Sequence, residues 1–113
     1  MNDVTKIEVA GVLFTWDDDK ALANWKKHKV DFKIATEVFF DDDAVDVWDL
    51  DHNTDEDRRN IIGKVYDSVL NMEILFVVYV ERVREDGRDV IRIISARPAD
   101  RKERRLYEHG LSR

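Results

Sequence analysis

Residues 74–80 read ILFVVYV, an unbroken apolar run that ends at Glu81-Arg82. Successive side chains of a strand point to opposite faces, so a run without polar alternation must be covered on both sides. It is far shorter than the ~20 residues that a membrane-spanning helix requires. Its β-branched and aromatic residues favour a strand. The chain is therefore expected to build a sheet with this segment at its centre, covered on both faces.

Neighbouring segments supply the partners. RRNIIGKVYD and RDVIRIISARP read as strands on either side in sequence, joined by turns at 67–71 and at REDG, whose Asp86-Gly87 suits a tight hairpin. Ile7 to Val9 and Val12 to Thr15 flank Ala10-Gly11 and predict a short N-terminal hairpin. WDDDKALANWKKHK opens a helix: Asp17 caps free backbone N–H groups, two further aspartates suit the positive end, and Lys26, Lys27 and Lys29 suit the negative end. A second helix is predicted from Asp31 to about Asp41, and a strand near 44–50. Asp100 and Glu103 form an aspartate version of the capping box, opening a helix that reaches about His109. The fold class is α+β: an antiparallel sheet, two N-terminal helices packed on it and a C-terminal helix.

A chain of 113 residues with 43% hydrophobic content and 11 aromatics buries one core, so one domain spanning 1–113 is expected. The absence of cysteine excludes disulfides and thiolate chemistry. The N-terminal MNDVTKIEVAGV lacks the basic start and apolar stretch of a signal peptide, so cytoplasmic residence is the expectation, with no membrane association.

The net charge of −6 conceals a division: residues 1–81 hold nine Lys+Arg against 19 Asp+Glu, whereas residues 82–113 hold 10 against six. A ligand responds to the local field of one face, so an acidic total does not exclude a polyanion. Within 90–109, VIRIISARPADRKERRLYEH, arginines gather on a strand and the helix after it.

The segments WDDDKALANWKKHK, DRRNIIG and VIRIISARPADRKERRLYE resemble the BrnT family of type II toxin–antitoxin toxins, over roughly residues 14–108. The resemblance implies a RelE-like fold and a metal-independent endoribonuclease that needs no cofactor. It also implies inhibition by a BrnA-type ribbon-helix-helix antitoxin, through which alone operator DNA is contacted. Lys29 stands where such sequences usually close the first helix with glycine; a non-glycine left-handed cap costs ~1 kcal/mol.

RNA carries its own nucleophile, the 2′-hydroxyl, so cleavage needs a base, charge stabilisation for the phosphorane and a proton source. Arg92 and Arg97, with Arg58 from a neighbouring strand, are the candidate phosphate grips; Glu81 is the candidate base, and His28 a proton donor or further contact. Lys27, Arg82, Arg101 and Arg105 are candidate RNA contacts. In a regular strand Arg92 and Arg97, five apart, point to opposite faces.

Each assignment has a plainer counterpart. Glu81 and Arg82 suit a solvated strand end, His28 a packed histidine, Arg101 to Arg105 a solvated helix face, and Trp16, Trp25 and Trp48 the core or an interface. Asp49, Asp51, His52, Asp55, Glu56 and Asp57 invite a divalent-cation site, but the segment lacks the sixth-position glycine and closing glutamate of an EF-hand and any His pair at ligand spacing, so a solvated acidic segment is favoured and no metal is expected. The alternative function is a non-catalytic RelE/ParE-like interaction module that serves as antitoxin corepressor or binds a protein target. Convergence of Arg58, Glu81, Arg92 and Arg97 in one concavity is the feature that separates the two.

Overall fold

The computed structural model describes residues 3–47, 58–67, 71–84 and 86–111. Six strands, β1 (Val4–Val9), β2 (Val12–Asp17), β3 (Val45–Val47), β4 (Arg58–Asp67), β5 (Asn71–Val83) and β6 (Asp89–Pro98), form one sheet in the order β1-β2-β6-β5-β4-β3. Helices α1 (Asp18–His28), α2 (Phe32–Ala35) and α3 (Arg101–Leu111) complete it. The apolar run lies in β5, flanked by β4 and β6, both antiparallel to it. β2 and β6, however, run parallel. The sheet is thus mostly, and not wholly, antiparallel: the N-terminal hairpin joins the β4–β6 meander through β2, and strand direction across that seam follows chain crossover, which no local pattern records.

One face of the sheet is covered by α1, α2 and a 3₁₀ turn, Thr36–Phe40. Phe14, Trp16, Ile61, Val65, Leu75, Val77, Tyr79, Ile93 and Ala96 meet Val30, Phe32, Ala35 and Val38 there. The other face carries only α3, over the β3–β4 end, where Ile62, Ala99 and Tyr107 form a second cluster with Val45, Ile74 and Phe76 at its border. The apolar β5 is therefore central but doubly covered only in its first half. Val80, in the second half, is nonetheless 3% exposed.

Local chemistry sets the boundaries. Asp17 accepts from the backbone N–H groups of Asp19 and Lys20, and α1 closes on Lys29 in the left-handed conformation, φ 59°. The lysine takes the role usually given to glycine, as the sequence implied. Asp31 caps α2, but the single helix expected to about Asp41 breaks after one turn into the 3₁₀ segment. There the Thr36 hydroxyl donates to the Lys33 carbonyl, a local bond that competes with continued helix. Asp100 and Glu103 exchange both hydrogen bonds of the capping box. Gly87 takes φ 83° in the expected turn. The predicted strand at 44–50 is described only as Val45–Val47; Trp48, the acidic residues 49–57 and the middle of the 67–71 turn lie outside the described residues.

Gly63 fixes how closely β4 approaches the 3₁₀ turn. A Cβ there would stand 2.7 Å from Val38 Cγ1 and 3.2 Å from the Val38 carbonyl oxygen. Val38 is fully buried and has nowhere to move. Gly63→Ala is expected to cost about 2 kcal/mol through overpacking, read as a fall in melting temperature of roughly 10 °C.

Candidate functional site

Register places a line of side chains across five strands on the face that α3 leaves open. Val80 of β5 pairs with Arg58 of β4 on one side and with Arg92 of β6 on the other. Arg92 in turn pairs with Thr15 of β2, and Thr15 with Lys6 of β1. Directly paired residues share a face, and adjacent strands lie ~4.8 Å apart, so Arg58 and Arg92 rise about 10 Å apart on either side of Val80. Both arginines and Lys6 are exposed, and Thr15 is half-buried between them. Arg92 has no carboxylate partner among the described residues. Arg82, paired with Val90, lies one step further along the same face.

Arg97 joins that face through an irregularity. The β5–β6 register passes from Val78↔Ser95 to Tyr79↔Ile93, leaving Ile94 as an extra residue. A bulge of one residue restores side chains five apart to a common face, so Arg92 and Arg97 point the same way, against the regular-strand expectation. The Arg97 guanidinium is already engaged. It donates from both terminal nitrogens to Glu103 of α3 at 2.8 Å each and lies 4.5 Å from the centre of the Phe76 ring. The arginine expected to grip phosphate thus ties α3 to the sheet.

His28 and Lys27 end α1 beside the free edge of β6. β2 pairs with β6 only as far as Arg92, and beyond it buried Asn24 takes over: its amide nitrogen donates to the carbonyl of Ala96 and its side-chain oxygen accepts from the Ala96 N–H. Burial, helped by the positive charges of Lys27 and Arg97, lowers the His28 pKa below the usual histidine value and keeps the ring neutral at neutral pH.

Glu81 does not converge with these groups. It lies on the helix-covered face, where its carboxylate is 3.5 Å from Arg59 and its neighbour Tyr79 donates to Asp46 at 3.0 Å. Strand alternation separates Glu81 from Val80, and so from the Arg58–Arg92 line. Convergence, the feature that separates the two readings, is partial: Arg58, Arg92 and Arg97 share one face as an open cationic strip, and Glu81 lies on the other. Arg101 and Arg105 are exposed one turn apart on α3. Trp16 is in the core, whereas Trp25 is 48% exposed.

Negative charge collects elsewhere. Glu37, Asp41, Asp42 and Asp43, with Phe40, Lys64 and Tyr66, line a groove of about 420 Å³. Burial raises the Asp41 pKa, but the backbone N–H groups of Lys64 and Asp43 and the Tyr107 hydroxyl outweigh it and leave it lowered. Among the described residues no group of three or more His, Cys, Asp or Glu side chains is placed to hold a metal ion, and no helix is long and apolar enough to cross a membrane.

A family model described as the ribonuclease toxin BrnT of type II toxin–antitoxin systems matches residues 16–103, well over half of the chain. The chain belongs to the BrnT family. Membership makes it a type II ribonuclease toxin, with an antitoxin as partner and RNA as substrate. No curated protein matches the sequence. The BrnT match takes in the β6 clamp of Asn24 and the line residues Arg58 and Arg92, and closes on Glu103, which holds Arg97. Lys6 and Thr15 lie before it. Sequence reasoning missed both: period-two alternation sets them opposite Ile7 and Phe14, but only the β2–β6 pairing brings them beside Arg92.

Proposed function

We propose that this BrnT toxin cleaves RNA without a metal ion, using the substrate's 2′-hydroxyl as nucleophile, on the open face of its sheet. The observation that carries the reading is the transverse line Arg58–Val80–Arg92–Thr15–Lys6. Guanidinium groups from both sides of Val80 bind one phosphate in forked fashion and neutralise the charge that grows in the phosphorane. Thr15 adds a hydroxyl donor, while Lys6, Arg82 and the exposed Arg101 and Arg105 hold flanking phosphates. Lys27 and neutral His28 contact the RNA at the α1 end of the strip, with His28 available to accept or relay a proton. Glu81 has no part in the chemistry. A sheet with α1 and α2 on one face and cations on the part of the other that α3 leaves open fits the RelE-like arrangement. A BrnA-type ribbon-helix-helix antitoxin is the partner in this reading, and it carries the contact to operator DNA.

The test uses an oligoribonucleotide and its copy with a single 2′-deoxy nucleotide at the cut site. The unmodified strand should be cut in excess EDTA, giving a 2′,3′-cyclic phosphate end, and the deoxy copy should remain whole there. Activity that vanishes with chelator and returns with magnesium would replace this mechanism by metal-assisted hydrolysis.

A further inference from the structure

We propose that the pocket between the end of β3 and the start of β4 is a base-recognition subsite. It seats a nucleobase bearing an exocyclic amino group, which donates to Asn60 Oδ1. The inference rests on the RNA-cleavage reading and adds sequence preference to it.

Asn60 is 3% exposed, and among the described residues its side-chain oxygen has no hydrogen-bond partner. Buried polar atoms are nearly always satisfied, and an orphaned acceptor destabilises the chain that carries it. A donor from a ligand removes that deficit. Asn60 also lines, with Asp46, Val47, Arg58 and Arg59, a cavity of about 90 Å³, room for the edge of one planar ring; its oxygen is closed to solvent, so the amide must turn to meet a ligand there. Asn60 pairs with Val47 on one side and Val78 on the other, so the acceptor sits between two apolar side chains suited to a ring face.

Position ties the pocket to the cationic line. Asn60 follows Arg58 by two residues on one face of β4, about 7 Å along the strand. A nucleotide whose phosphate lies between Arg58 and Arg92 therefore has a base within reach of Asn60, and the Arg58 guanidinium plane can stack on that base. A lone acceptor selects donors, and one set at the rim of a small cavity is met best by a projecting exocyclic amine, which adenine, cytosine and guanine carry and uracil, with only its ring N3–H, does not.

The experiment uses the full-length toxin and short RNAs in which single amino groups are deleted near the cut, purine riboside replacing adenosine and inosine replacing guanosine. Both kcat/KM and, on 2′-O-methyl copies that cannot be cut, Kd are measured. Deletion at one position should weaken both by about tenfold for wild type. Asn60→Ala should treat the paired RNAs alike, at the reduced level, with a melting temperature unchanged or higher. Asn60→Asp, which keeps an acceptor, should retain the discrimination. Indifference of wild type at every position, a preference for uridine, or full discrimination by Asn60→Ala overturns the inference while leaving the ribonuclease intact. Wild type that neither binds nor cuts any of these RNAs fails the underlying reading instead.

Discussion

Arg92→Ala is expected to slow RNA cleavage at saturating substrate by on the order of 10²-fold, the loss typical of one preorganised donor to a developing oxyanion. Stability should hardly change: Arg92 is exposed and unpaired by any described carboxylate, and such surface changes stay within about 0.5 kcal/mol. Its contribution falls mainly in the transition state, where charge on the non-bridging oxygens rises, so kcat should fall much more than RNA affinity. Arg92→Lys should recover little, because an ammonium cannot reproduce the fork that approaches phosphate from one side of Val80. Lys6→Ala, at the far end of the line, should instead weaken binding with a shallower salt dependence and leave the saturated rate near normal. Single-turnover rates and salt-dependent Kd values for the three variants provide the check. Equal single-turnover rates for Arg92→Ala and wild type would remove the strip from the chemistry.

Where local pattern decides structure, the sequence was readable. The run 74–80, the caps at Asp17 and Asp31 and the Asp100–Glu103 box all appear as expected, since each depends on neighbours within one turn or one strand. Face assignment on β6 was not readable, because it turns on the bulge at Ile94, and nothing in VIRIISARP marks which residue is left unpaired. The separation of Glu81 from Arg92 was hidden for a related reason. Both are polar residues at strand positions, and only the cross-strand register of Val80 shows which of them faces the helices. The partner of β2 was equally silent, which is why Thr15 and Lys6 escaped notice beside Arg92.

Arg97→Ala should act on the fold before it acts on RNA. The substitution removes two charge-assisted hydrogen bonds to Glu103, each 2.8 Å, and the cation–π contact with Phe76. It also strips Glu103, whose side chain is 13% exposed, of its cationic partner. Hydrogen bonds to charged groups contribute about 1.5–3 kcal/mol and a partly exposed cation–π contact about 1 kcal/mol, so a loss of about 3 kcal/mol is expected. For a chain of this size that lowers the melting temperature by roughly 12 °C or more. Because the arginine meets the first turn of α3, the loss should concentrate there, and amide exchange should rise in Arg101–Leu111 sooner than in β5. A double-mutant cycle with Glu103→Gln separates this role from direct phosphate binding. If Arg97 serves the clamp, each single change should lower stability and the second should cost much less once the first is made, with cleavage falling only as far as α3 is loosened. If Arg97 instead grips phosphate, Arg97→Ala should lose rate at full stability and Glu103→Gln should not, which would return the residue to the cationic line.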